Sequence, residues 1–558
     1  MRLRTRLTGT SGLVALAVLV SSCSSSSTAA NSSSGSSSGS ASSAAGSSAA
    51  AGGTSGGGGG TLKISNAITT DPIIPMTVDT ATTRVMDMVW TGLVRYDEKL
   101  KPYNANAESI KTTDNTTFTI TLKKGYTFSD GTPVTADSYV DAWNYSAYGP
   151  NAAQSASYFN LIKGYDQTNP DVPAGATAAP APTAKTLSGL KKVSDTEFTV
   201  ALSKPMSSFP AILGYSIFYP LPKSFFSDPK TYEKLPIGNG PYKMTKLVPG
   251  QEVDLVKTPG YNHEDAGKAD GLNFVSFAED TAAYTAVQGN QLDYAPVPTA
   301  YLKTFQADFP GHSALVTGTT MMDMQIPTYD KRYANPDVRV ALSMAIDRKT
   351  IVEALLPGAA TAADGWVTPA LPGYQAGACG ENCTYNPDKA KALWAKAGFT
   401  GDVVITTLAP QNTLFTSVCQ SISDTLGVKC SVNSVADRTS YKAIAQAFKA
   451  PGPIRWGWAI DYPTMENMLV PRFIANGSSN WMKYDSTEYQ KLIDAANAAT
   501  TDAEAYQQFN AAQGVLGKDM PDVPIYFAQG AGVWSNDTKD LTITGFGWPD
   551  LLKAYKSS

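Results

Sequence analysis

The chain is poor in side chains that do covalent or acid–base chemistry: it has five cysteines and two histidines. Cys23 has the most telling surroundings. Arg2, Arg4 and Arg6 precede it, then an apolar run from Leu13 to Val20, and Val20-Ser21-Ser22-Cys23 reads as a lipobox. At such a small-residue cleavage site a diacylglycerol is joined to the cysteine sulfur. The apolar run is shorter than the about 20 residues that span a bilayer. The expectation is a signal peptide over 1–22 and a lipid anchor on Cys23. The remaining cysteines are Cys379, Cys383, Cys419 and Cys430. An even number outside the cytoplasm favours disulfides, and four cysteines allow three pairings. The local pairs are expected: Cys379 and Cys383 flank a turn-forming Gly380-Glu381-Asn382, while Cys419 lies in a helical pattern and Cys430 opens a strand. Zinc is the alternative, but C-x10-C is a poor second half-site and His263 and His312 are remote in sequence.

Two motif matches lead nowhere. Gly53-Thr54-Ser55-Gly56-Gly57 fits G-x-S-x-G, yet it lies in a Ser/Gly tract that cannot supply the strand-to-helix turn a nucleophile needs. His263-Glu264 is followed by Gly267 where a zinc helix would carry its second histidine. A surface-anchored hydrolase is thus the weaker alternative, and no cofactor and no metal are expected.

The elements that would carry a site begin after residue 60. Residues 23–60 are nearly all Ser, Ala and Gly, a tether unable to bury enough apolar surface to order itself. Its end-to-end distance as a flexible coil is roughly 35 Å. The remainder, 61–558, is long for one core and should divide into lobes. Of 44 Lys and Arg, three belong to the signal, against 48 Asp and Glu. This acidic balance argues against nucleic acid or an anionic membrane surface as partner. Strands are predicted at Thr61–Ser65, Thr116–Leu122 and Glu197–Leu202 from alternation or β-rich composition. Thr135 should cap a helix carrying Tyr139, Val140 and Trp143. Asn335-Pro336 and Asn386-Pro387 open two further helices, the second closed by Gly398. Their stripes (Val338, Leu342, Ala345, Ile346; Ala390, Leu393, Trp394, Ala397) read as packing faces. Mixed strands and helices without strict alternation predict an α/β protein.

In order, these stretches resemble the family-5 extracellular solute-binding proteins, the peptide-binding components of ABC importers. The resemblance runs through Thr83–Tyr96 (TRVMDMVWTGLVRY), Lys123–Trp143 (KKGYTFSDGTPVTADSYVDAW) and Ile237–Lys243 (IGNGPYK). It continues in Asn335–Arg348 (NPDVRVALSMAIDR), Asn386–Phe399 (NPDKAKALWAKAGF) and Arg455–Pro463 (RWGWAIDYP). Thr91 stands where the family has Glu, and Ile460 where it usually has Ala. The resemblance implies two α/β lobes of the periplasmic-binding-protein type (class II, cluster C) closing on ligand about a hinge, with an extra domain in the first lobe. By position, 61–89, 230–320 and 525–558 would form lobe I, 90–229 the extra domain and 321–524 lobe II.

It also implies a site. In peptide-binding members an aspartate in W-x-A-D-Y holds the peptide's α-ammonium group, and here Asp461 takes that place. Gly457 to Ala459 would pair with peptide backbone, Trp456 and Trp458 would wall side-chain pockets, and Arg455 would meet the carboxylate of short peptides. The implied protein is a monomeric lipoprotein on the outer face of a bacterial membrane, working with a permease and ATPase subunits. Oligosaccharides or metal chelates are the alternative ligands on the same fold.

Overall fold

A computed structural model describes residues 59–172 and 178–557. The expected signal peptide, the lipidated Cys23 and all but the last two residues of the tether lie outside them. Among the described residues no helix is long and apolar enough to cross a membrane.

The large sheet shows how the lobes are joined. Its strands run in the order Cys430–Val435, Val403–Leu408, Ile454–Ala459, Ser313–Gln325, Asp522–Trp534, Tyr294–Pro296, Thr61–Ser65, Gly271–Val275, Glu252–Lys257 and Tyr242–Val248. Only the two 13-residue strands, Ser313–Gln325 and Asp522–Trp534, belong to both halves. They pair from Ser313 to Thr317, lose register, and resume at Met321. On one side of that break lie the partners of Gly532–Trp534; on the other, Ile454–Ala459 pairs with Thr320–Gln325. A break in the ladder concentrates bending at one place, because paired backbone on either side resists it. These two strands are the hinge between two α/β lobes.

A four-stranded antiparallel sheet (Ala107–Lys111, Thr117–Leu122, Glu197–Ala201, Leu190–Ser194) is inserted before Tyr242–Val248. The helix Ala136–Ala147 lies against it, burying Tyr139 and Trp143 as their spacing predicts. At the helix start the Ser138 hydroxyl accepts from the Thr135 amide at 3.2 Å. This sheet shares one apolar core with the first lobe, whereas the second lobe has its own. Two residues cross over: Tyr462 packs with the first core and Leu100 with the second.

The helices Pro336–Met344 and Pro387–Ala397 start at their Asn-Pro pairs, where Asn335 and Asn386 accept from the amides of Asp337 and Lys389. Gly398 ends the second at φ 65°, a conformation a side chain would disfavour. Pro336–Met344 is buried on more than the stripe its sequence suggests, because Pro387–Ala397 and Asp502–Asp519 both pack on it. The structure joins Cys379 to Cys383 and Cys419 to Cys430. The second bridge ties the helix Asn412–Leu426 to the start of the strand Cys430–Val435. Among the described residues no cluster of three or more His, Cys, Asp or Glu side chains could hold a metal.

Candidate functional site

The strand Ile454–Ala459 is paired along one edge with the hinge strand, and with Val403–Leu408 only at Ile454. In an antiparallel ladder both peptide groups of a residue face the same side, and sides alternate along the strand. The Arg455 carbonyl turns away from the hinge, where it accepts from the Tyr441 hydroxyl. The peptide groups of Gly457 and Ala459 therefore face outward too, leaving an edge that extended backbone could join.

Beyond this strand the chain turns, and Asn467 holds the turn. Its side-chain oxygen accepts from Trp458 Nε1 at 3.0 Å and from the Asp461 amide at 3.2 Å. Asn467 is itself fixed in the first turn of the helix Met465–Phe473, its amide donating to Thr464 Oγ1 at 3.2 Å. Asp461 and Ile460 are thereby presented to a cavity of about 480 Å³, within the range of about 300–1,000 Å³ usual for ligand sites. Its opposite wall comes from the first lobe and the inserted sheet unit: Asp79, Thr83, Asp87, Tyr96, Tyr215 and Ser216, with Phe546 and Trp548 from the C-terminal segment. The cavity is an interlobe cleft.

The Asp461 carboxyl is half-buried, and burial pushes its pKa upward; the groups that offset this are neutral, the Tyr158 hydroxyl and Asn467. A carboxylate drawn out of water with only neutral donors is unsatisfied until a cation arrives. Facing it, Tyr96, Phe546 and Trp548 form an aromatic wall with ring centroids 5.8 and 4.9 Å apart. The C-terminal segment carrying two of these rings approaches the hinge strand closely: a Cβ on Gly530 would come within 2.5 Å of Gly547 Cα. A second chamber of about 440 Å³ continues past this wall and shares Asp87, Tyr96, Phe546 and Trp548 with the first. Another cavity, about 330 Å³ beside Asp137 and Asp141, has no wall from the second lobe.

Hydrogen bonds also join the inserted unit directly to the second lobe. Asn115 Nδ2 donates to the Ala499 carbonyl at 2.6 Å, and Ser207 donates through Oγ to Ala496 at 2.9 Å and through its amide to Asn497 at 3.0 Å. Carbonyls around the end of the second-lobe helix Thr487–Ala498 thus find partners in the inserted unit, where a helix end otherwise relies on water.

Of the site residues predicted from sequence, Asp461 lines the cleft, and Gly457 and Ala459 lie on the open strand edge. Trp458 is partly buried against the second-lobe core. Trp456 packs instead in a small cluster with Tyr441, its ring 4.0 Å from that of Trp481. Arg455 does not line the cavity; its charge acts on Asp323, Tyr441 and Tyr526. Sequence reasoning missed Tyr158, Tyr215, Arg438, Phe546 and Trp548, which come from distant loops and helix starts without local motifs.

Next to the site, Glu466 is buried and accepts from the Tyr462 hydroxyl at 2.9 Å. Burial raises its pKa from 4.5 to about 7. Because the folded value lies above the unfolded one, the associated stability is present below about pH 4.5 and lost as pH rises through about 7. Glu466→Gln should therefore match the parent in thermal melts at pH 5 and gain on it at pH 8. A gap that does not change with pH would show that Glu466 is not held protonated.

The model of the bacterial extracellular solute-binding proteins, family 5, matches residues 101–480. The oligopeptide-binding protein OppA of Bacillus subtilis is 23% identical over 499 residues, covering 86% of this chain and 89% of the relative. Among solved structures, the Escherichia coli murein tripeptide binding protein MppA aligns with a TM-score of 0.70 at 20% identity, covering 89% of this chain and 98% of that one. Listeria monocytogenes OppA bound to peptide aligns at 0.67 and 20% identity, covering 90% and 100%.

Proposed function

Because the chain belongs to the bacterial extracellular solute-binding proteins of family 5, we propose that it captures short peptides between its two lobes for an ABC importer. The observation that carries this reading is the Asp461 carboxylate, half-buried on the interlobe cavity with only neutral partners. A peptide's α-ammonium group brings the missing charge and three donors. The outward peptide groups of Gly457 and Ala459 add main-chain pairing, which holds a peptide without reading its side chains. Binding of this kind needs no chemistry on the ligand. The Asn115 and Ser207 hydrogen bonds join the inserted unit to the second lobe, and peptide contacts on both walls would add to that association.

In the same reading, lobe I comprises 61–89, 230–320 and 525–558, the extra domain 90–229 and lobe II 321–524. The register break at Thr317–Met321 supports a division there. Cys23 carries a lipid that keeps the protein at the outer face of the membrane, and a permease with cytoplasmic ATPase subunits takes the peptide onward. Mass spectrometry of small molecules released from the purified protein by denaturation tests the ligand class. A ladder of short peptides with free amino termini is expected; a single oligosaccharide or chelate would contradict the peptide reading.

A further inference from the structure

The interlobe cavity of about 480 Å³ and the chamber of about 440 Å³ behind its aromatic wall share one carboxylate, Asp87. Asp79 and Asp87 stand at opposite ends of the helix Thr80–Val89. Asp79 Oδ2 accepts from the Thr82 amide at 2.8 Å and caps the helix start, where the dipole favours negative charge. Asp87 lies in the last turn, where a negative charge opposes the dipole, so helix stability does not account for it. Its Oδ1 accepts from the Tyr219 hydroxyl at 2.7 Å, and no hydrogen bond among the described residues reaches its Oδ2.

The cations around Asp87 are engaged elsewhere. Arg95 donates through Nε to Asp265 at 2.7 Å, and through Nη1 to the Asp87 backbone carbonyl at 3.0 Å rather than to its carboxylate. Arg84, one turn earlier on the helix, donates to Asn66 Oδ1 at 3.3 Å. In the second chamber Lys268 and Lys553 pair with Asp540 and Asp550 at 2.6 and 3.2 Å. Arg438 belongs to the second-lobe helix Arg438–Gln446 and forms no salt bridge with Asp87. Burial pushes the Asp87 pKa up to about 6, which leaves it charged at neutral pH. The rings beside it also suit a cation. Tyr96, Phe546 and Trp548 border both chambers, and the Arg84 guanidinium already lies 5.0 Å from the Trp548 ring centroid.

We propose that Asp87 receives the ammonium or guanidinium group of a lysine or arginine side chain on the bound peptide, making this chain selective for basic peptides. This rests on the peptide reading above and adds a residue that reads side chains, which the strand edge at Gly457 and Ala459 does not. Asp461 on the other lobe takes the α-ammonium group, so the preferred ligand carries one positive charge for each lobe's carboxylate. The aliphatic stem lies along the aromatic wall while its charged end reaches Asp87 Oδ2.

The test uses randomised tripeptides and tetrapeptides with free amino termini, each carrying one lysine or arginine. Matched pools carry norleucine for lysine and citrulline for arginine, which keep the side-chain length and remove the charge. All pools are mixed with the full chain, with Asp87→Asn and with Asp87→Ser, and the retained peptides are quantified by mass spectrometry. The parent should retain basic peptides over their neutral counterparts by about tenfold or more, the scale of one charged hydrogen-bonded contact. Both variants lose the charge but keep an oxygen that can accept from Tyr219, and either should retain the two kinds of pool within about twofold of each other. A preference that survives both substitutions, or a parent without one, overturns the assignment while leaving peptide binding intact. Failure of the parent to retain any pool contradicts the peptide reading itself, and this inference with it.

Discussion

Asp461→Ala should weaken binding of free-amino peptides by about 3 kcal/mol or more, over a hundredfold in Kd. The magnitude follows from where the carboxylate sits. It is half-buried on the cleft, the groups beside it, Tyr158 and Asn467, are neutral, and burial raises its pKa. Peptide binding places an ammonium group against it and takes that charge out of water as well. Removing the carboxylate leaves the ligand's charge desolvated without a partner, the costly half of a broken ion pair. Asp461→Asn tests charge apart from shape: most of the loss should persist, because the amide keeps the size but not the charge. Calorimetry on the parent and both variants checks this, and unchanged affinity in Asp461→Ala would remove the residue from the site.

Arg472→Met should lower the unfolding free energy by about 3–5 kcal/mol, the cost of stripping one partner from a buried ionic cluster. Arg472, Asp323 and Asp522 all have side chains with 0% exposure. Arg472 pairs with Asp323 and lies 3.3 Å from Asp522, whose other oxygen accepts from Trp366 Nε1 at 2.9 Å. Burial raises the pKa of both carboxyls, and the charge of Asp323 raises Asp522 further. The cluster ties both hinge strands to the helix Met465–Phe473, whose first turn contains the Asn467 that holds the Asp461 loop. Denaturant melts followed by tryptophan fluorescence measure the loss. Converting the cluster together (Arg472→Met, Asp323→Leu, Asp522→Asn) should recover most of it, since matched uncharged replacements of a buried ionic cluster cost little and the new side-chain amide oxygen still accepts from Trp366 Nε1. A single Arg472→Met variant within about 1 kcal/mol of the parent would be incompatible with a paired, solvent-excluded cluster.

Local chemistry made part of this molecule legible in its sequence. Asn335-Pro336 and Asn386-Pro387 carry a cap and a first-turn residue in adjacent positions, so both helix starts could be read directly. Asp461 was singled out by the family resemblance of Trp458 to Tyr462 and not by local chemistry. The burial of Pro336–Met344 beyond its stripe was not legible, since it depends on two helices about 50 and 165 residues further along the chain. The cleft's other wall was equally hidden. Tyr158, Tyr215, Phe546 and Trp548 meet Asp461 only because the hinge brings the lobes together, and aromatic residues at those positions could as well have been core. Arg455 shows the converse: the family resemblance points to a ligand contact, while in the structure its charge acts on Asp323 and Tyr441.

The most direct measurement compares retention by the full chain of randomised tripeptides to pentapeptides with free amino termini against the same pool N-acetylated. Capture through Asp461 requires the free-amino pool to be retained and the acetylated pool to be lost, because acetylation removes the ammonium charge. Equal retention of the two pools, or retention of neither, would contradict peptide capture at this cleft.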